Sequence, residues 1–156
     1  MIHEVDISDR IKAVAIHRLQ QAAYAVEALR IGSADFPPLR ETVEDLQNST
    51  ERFLVLQADE VIDGAISFEH KAESVVITRL VVRPERFRRG VATALLNSME
   101  AKVPTGAMLC VITAEPNEPA IRCYAKQGYR VTAHRPSPEG IWLVQLEKQR
   151  NESAAH

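Results

Sequence analysis

The segment Val81-Val82-Arg83-Pro84-Glu85-Arg86-Phe87-Arg88-Arg89-Gly90-Val91-Ala92-Thr93-Ala94-Leu95-Leu96 gathers cations around one glycine, between an aliphatic run and a helical pattern. Cations, free backbone amides and an open glycine at one spot suit the binding of an anion, above all a phosphate. The run from Ser74 to Val82 is β-branched or aliphatic apart from Arg79 and reads as a strand. Pro84 ends it, because proline cannot donate to a ladder and holds Arg83 extended. Beyond the turn, Val91, Leu95 and Met99 follow a 3.6-residue period with Ala92, Leu96 and Val103 beside them, so one helical face is apolar enough to lie on a sheet. Gly90 stands at the helix entrance, where a missing Cβ lets a ligand approach the backbone. The first-turn amides have no partner inside the helix, and the helix dipole adds roughly half a positive charge there. An anion satisfies both.

A second segment, Asn117-Glu118-Pro119-Ala120-Ile121-Arg122-Cys123-Tyr124-Ala125-Lys126-Gln127-Gly128-Tyr129, places an amide, a thiol and a phenol on a helical pattern. Taken in order, the two segments resemble the GNAT N-acetyltransferase superfamily. The superfamily's pyrophosphate motif, Gln/Arg-x-x-Gly-x-Gly/Ala between a strand and a helix, is matched by Gly90 and Ala92. Phe87 stands where Gln or Arg belongs, with Arg86, Arg88 and Arg89 around it, so the sequence leaves open which side chain reaches a phosphate. The second segment resembles the superfamily's Asn-x-x-Ala-x-x-x-Tyr-x-x-x-Gly-Phe/Tyr helix, and the resemblance covers roughly residues 50 to 147.

Composition agrees with a small globular unit. The chain has 156 residues, 46% of them hydrophobic and 26% charged, and is read as one domain over 1–148 with a polar tail, 149–156, expected to be disordered. No run approaches a membrane span, and the start lacks the basic and apolar regions of a signal peptide, so a cytoplasmic location is expected. Cys110 and Cys123 have no metal-ligand spacing and are read as packing residues, with no metal expected. A net charge of −2 argues against wholesale nucleic-acid binding, and the arginine cluster is too local for a duplex backbone.

The elements that must position these residues alternate along the chain. Ile2 to Ile7 reads as an edge strand, with Ser8 or Asp9 able to cap the helix Ile11 to Leu29. Gly32, Pro37 and Pro38 break that helix over Ile31 to Leu39, and Glu41 to Gln47 reads as a second, short helix. Strands are expected over Arg52 to Gln57, Val61 to Glu69 and Ser74 to Val82; after the cation-rich turn and its helix, the strand Ala107 to Thr113, the helix Glu118 to Gln127 and the strands Tyr129 to His134 and Ile141 to Glu147 follow. The order β-α-α-β-β-β-α-β-α-β-β indicates an α/β layer structure with helices on a mixed sheet.

The GNAT resemblance implies more: helices on both faces of that sheet, and a V-shaped splay between two central parallel strands, here Ser74 to Val82 and Ala107 to Thr113. It implies acetyl-coenzyme A as cosubstrate, with Leu80, Val81 and Val82 pairing to the pantetheine arm like an added strand. The pyrophosphate would rest on Arg88, Arg89, Gly90, Val91, Ala92 and Thr93. Tyr124 would lie near the coenzyme sulfur and protonate the leaving thiolate, a useful act when a tetrahedral adduct must expel sulfur. The bland alternative is a packed tyrosine with a satisfied hydroxyl. Asn117 would contact the cofactor, or it is only a helix cap before Pro119.

Many members of the superfamily carry a glutamate on the strand before the phosphate turn as general base; here Val75-Val76-Ile77-Thr78 offers no carboxylate. Glu69, His70, Glu73 and Glu115 lie near neighbouring strand ends, and Glu69 is the expected base, against the alternative of a solvated surface residue. Arg79 either holds an acidic group of a ligand or sits in an internal ion pair. Tyr24, Glu27, Arg30 and Trp142 flank the region that shapes the acceptor pocket in similar folds, with a core position the alternative for Trp142, and Phe36-Pro37-Pro38-Leu39 is either a stiff lip over it or a plain connector. The function expected is acetyl transfer to a primary amine of a small molecule, or second of a peptide or protein, by direct attack in a ternary complex. The alternative is a non-catalytic acyl-coenzyme A binding or sensor module. Either would be a monomer or a homodimer, for which the last strands offer a pairing edge.

Overall fold

The computed structural model describes residues 1–32 and 36–150. Part of the connection expected over Ile31 to Leu39, and residues 151–156 of the expected tail, lie outside the described residues. Seven strands, β1 (Ile2–Val5), β2 (Arg52–Ala58), β3 (Val61–His70), β4 (Ser74–Val82), β5 (Met108–Ala114), β6 (Arg130–Pro136) and β7 (Trp142–Gln149), form one sheet in the order β1-β2-β3-β4-β5-β7-β6. Every pairing is antiparallel except β4 with β5. The helices are α1 (Arg10–Ile31), α2 (Val43–Gln47), α3 (Val91–Glu100) and α4 (Glu118–Lys126).

Local chemistry sets these boundaries. Asp9, of the two caps considered, accepts from the Ile11 amide at 3.0 Å, and Gly32 closes α1 in the left-handed conformation at φ 77°. Thr42 and Asp45 form a reciprocal capping box that starts α2. The helices cover both faces. On one, Leu95, Leu96 and Met99 of α3 pack with Tyr124 against Leu54, Ile66, Leu109 and Val111 of the sheet. On the other, Ala13, Ile16 and Leu19 of α1 and Leu46 of α2 pack against Phe53, Val55, Ala65 and Val81. Among the described residues no helix is long and apolar enough to cross a membrane.

The parallel pair is short. β4 and β5 are in register from Ser74 with Met108 to Ile77 with Val111, and there pairing stops, although β4 runs on to Val82 and β5 to Ala114. On its other side β4 changes register against β3, since Ser67 faces Arg79 while Phe68 faces Ile77, leaving Thr78 as the extra residue of a bulge. A bulge bends its strand and raises the local twist. It falls at the point where β4 leaves β5, and the expected splay opens from there.

The polar end of the chain is more structured than its composition suggested. Gln149 belongs to β7, opposite Met108, and Arg150 is buried, its guanidinium donating to the Glu100 carbonyl and to Thr105 Oγ1. The packed unit thus extends through Arg150 rather than ending at 148, because these carbonyl and hydroxyl partners satisfy a side chain that looked like tail.

Candidate active site

Where β4 and β5 part, α1, α3 and α4 close around a cleft with two arms. The larger arm, a cavity of 860 Å³, runs along Leu80 to Val82, past Arg88, and over Gly90 to Thr93 at the start of α3. The smaller, 290 Å³, lies between the bulged part of β4 and the end of β5, beneath Phe36, Pro37 and Pro38. Of the two readings of that Pro-Pro turn, its position is that of a lip. The arms share a wall of Tyr24, Glu27, Leu80, Asn117, Ala120 and Tyr124.

The turn before α3 has features that could seat an anion. Arg83 donates to the Ile62 carbonyl at 2.9 Å and, with Arg86, flanks the buried carboxylate of Asp63 at 3.6 and 3.5 Å, which ties the turn to β3. Arg88 and Gly90 both take positive φ, 65° and 79°. For Arg88 that is a costly conformation. For Gly90 it is the reason for glycine, since a Cβ there would meet nothing within 4 Å. Gly90 offers α3 no side-chain cap, so the amides of its first turn remain open. Phe87, Arg88 and Arg89 are all exposed, but Phe87 and Arg88 line the larger arm and Arg89 lies outside its wall.

Tyr124 is 5% exposed, at the junction of the arms. Burial, reinforced by the neighbouring Cys123, Glu27 and Tyr24, pushes its phenol far up, so it stays a proton donor at neutral pH. Its ring meets Tyr129 edge to face at 5.5 Å; but the Tyr129 hydroxyl donates to Glu100 Oε2, while among the described residues the Tyr124 hydroxyl has no such partner. Asn117, 6% exposed, donates from Nδ2 to Glu27 Oε1 at 2.8 Å, and its side chain does not cap α4. Burial raises the Glu27 carboxyl above its ordinary range, against a weaker opposing pull from Arg30. The contact joins residues ninety positions apart and was invisible in the sequence, although Glu27 itself had been placed near this pocket.

Arg79, also on the wall of the smaller arm, is an internal ion-pair partner. Its guanidinium reaches Glu41 Oε1 at 2.6 Å and Glu51 Oε1 at 3.2 Å, donates to Gln20 Oε1 and Ser67 Oγ at 2.9 and 2.8 Å, and lies over the Phe53 ring. Burial alone would raise the Glu51 carboxyl, but bonds from Thr78 and Ser67 and the charge of Arg79 hold it below its usual range. Glu69, the expected base, lines neither arm. It stands opposite Val76, below the parting point, where it accepts from Thr50 Oγ1 at 3.1 Å and lies 3.8 Å from Lys71 Nζ. His70 meets Phe68 edge to face, Glu115 pairs with the exposed His134, and Trp142, 48% exposed, meets the His134 ring at a tilt of 44°; none of the three lines the cleft. Cys123 lines the larger arm with its thiol pushed up by burial, and no group of three or more His, Cys, Asp or Glu among the described residues is arranged for a metal.

A family description, the acetyltransferase (GNAT) domain, matches residues 20–150. The chain belongs to the GNAT family. GNAT domains are acyltransferases, and the fold agrees with solved members: the PaiA N-acetyltransferase from Thermoplasma acidophilum, in complex with coenzyme A, superposes with a TM-score of 0.77 at 20% identity over 96% of this chain and 98% of that one. YncA from Salmonella typhimurium, a putative acetyltransferase with its cofactor acetyl-CoA, gives 0.72 at 18% identity over 97% and 94%. Among curated proteins the UPF0157 protein YqkA of Bacillus subtilis is 34% identical over 140 residues, 90% of this GNAT chain but 39% of that protein, so the chain spans about two fifths of that relative's length.

Proposed function

We propose that the protein is an N-acetyltransferase that moves the acetyl group of acetyl-coenzyme A to a primary amine, most simply of a small molecule, by direct attack in a ternary complex with Tyr124 as general acid. The observation that carries this reading is the meeting of the two arms at Tyr124. The larger arm has the anion seat at one end and a β4 edge freed from β5 along its side, which suits a long ligand with a diphosphate and an amide-bearing arm. The smaller arm is sized for a compact acceptor. An amine nitrogen arriving from it attacks the thioester carbonyl, the carbonyl pair moves to oxygen, and on collapse the C–S pair leaves with sulfur, which takes the Tyr124 proton while the proton shed by the nitrogen restores the phenol. Cys123, its thiol pushed up by burial, makes a poor nucleophile for a relay through a covalent acyl-enzyme.

The test pairs calorimetric titration of acetyl-coenzyme A with thiol release across a panel of primary amines, for wild type and Tyr124→Phe. The expected result is unchanged cofactor binding with turnover lowered by roughly two orders of magnitude in the variant. The sensor reading rests on Phe87 at the Gln/Arg position and on the missing β4 carboxylate; it would be favoured if the cofactor bound but wild type turned over no amine.

A further inference from the structure

The cleft lacks the expected base, since Glu69 is outside it and β4 carries no carboxylate there. The carboxylates near the smaller arm are not equivalent. Glu41 and Glu51 are consumed by Arg79, and Glu139 is exposed in the β6–β7 connection. Glu27 differs from all of them: it is half-buried, it lines both arms, and among the described residues its one hydrogen bond comes from the neutral amide of Asn117. That bond leaves the other carboxylate oxygen available. It also gives Asn117 a task that capping does not, because the amide fixes an acid on α1 against α4 beside Tyr124.

On the reading of the cleft as an acetyl-transfer site, we infer that Glu27, held by Asn117, accepts the proton of the incoming acceptor ammonium. An amine arriving charged cannot attack until it loses a proton. Glu27 takes that proton and returns it to solvent; the nitrogen then attacks, Tyr124 delivers its proton to the departing sulfur, the second proton shed by the adduct nitrogen restores the phenol, and one proton per turnover leaves the site. Two oppositely working groups thus face each other across the acetyl position, acid on α4 and base on α1. The titratable groups that line the two arms with Glu27 are Tyr24 and Arg30 on α1, Arg79 on β4, Arg122, Cys123, Tyr124 and Lys126 on α4, Arg86 and Arg88 in the turn and Glu139 in the β6–β7 connection; burial raises the Glu27 carboxyl, and Arg30 is the cation that favours its ionisation.

The experiment compares wild type, Glu27→Gln, Glu27→Asp and Glu69→Gln, with the best acceptor from the amine panel. Expected is acetyl-coenzyme A affinity within about twofold of wild type for all three variants, and for Glu27→Gln a fall in kcat/KM of roughly a hundredfold together with loss of the rise in rate with pH that marks ionisation of the base. Glu27→Asp should recover part of the rate, and Glu69→Gln should match wild type. Melting temperature is the readout that a purely structural role would move the other way. A carboxyl raised in the fold stabilises it most at low pH and loses that contribution as pH rises through the folded value, so Glu27→Gln should melt at or above wild type at neutral pH. An unchanged pH profile in Glu27→Gln with wild-type rate, or a variant that melts early and loses cofactor, would overturn the assignment while leaving acetyl transfer standing. Absence of turnover in wild type would overturn both.

Discussion

Gly64→Ala tests how the anion seat is held. Gly64 lies on β3, and a Cβ added there would stand 2.6 Å from Val91 Cγ1, 3.0 Å from Leu95 Cδ1 and 3.1 Å from the Val81 carbonyl oxygen. The first of these is roughly 1 Å inside ordinary carbon contact. The carbonyl belongs to β4 and cannot yield, so the displaced partner must be α3, through its first and second turns. Overpacking of this kind costs about 1–3 kcal/mol, partly offset by the 0.4–1 kcal/mol that losing a glycine removes from unfolded-chain entropy, for a net loss of about 1–2 kcal/mol. For a chain of this length that lowers the melting temperature by about 3–6 °C. Because Val91 is the first residue of α3, the same shift moves the open amides, and acetyl-coenzyme A affinity should fall several-fold. Differential scanning calorimetry and titration calorimetry read the two effects, and Val91→Ala added to Gly64→Ala should restore part of the stability. A Gly64→Ala protein that melts with wild type and binds with wild-type affinity would refute the view that contact between α3 and β3 at Gly64 sets the seat.

Two further outcomes follow from the charge layout. Glu51, held below its usual range, contributes stability that is complete above the ordinary glutamate value of about 4.3 and is lost as pH falls through its lower folded value; Glu51→Gln should lose about 1–3 kcal/mol at neutral pH, and thermal melts should show that gap from wild type narrowing in acid. In cofactor titrations Arg88→Ala should weaken acetyl-coenzyme A binding about tenfold, as expected for loss of one charge-assisted contact, whereas Arg89→Ala should change it little, an order that reversed values would contradict.

The parts of this protein that read clearly from sequence are those whose signals are local. Ser74 and Val82 bound β4 as expected, because the aliphatic run and Pro84 are short-range features, and Asn117 and Tyr124 fall at the cleft because the helix that carries them has a recognisable spacing. What stayed hidden depends on contacts between distant segments. Alternation along β3 put Ser67 and Glu69 on one face, but the partners differ, since Ser67 joins the Arg79 cluster beside the bulge at Thr78 while Glu69 accepts from Thr50. The pairing of Arg79 with Glu41 and Glu51, and of Asn117 with Glu27, crosses elements whose relative placement is a property of the packed sheet. Arg150 looked like tail because a polar residue gives no sign of the carbonyl it will meet.

The early end of the β4–β5 ladder also divides the sheet mechanically. Strands β1 to β4 are chained to one another by long antiparallel ladders, as are β5 to β7, yet the two blocks share only the register from Ser74–Met108 to Ile77–Val111. Beyond that seam each block presents a strand edge to the other across the cleft. A ligand that bonded to both edges would therefore act as a rivet as well as a substrate, joining by hydrogen bonds two blocks that otherwise meet beyond the seam only through the apolar core they share with α3.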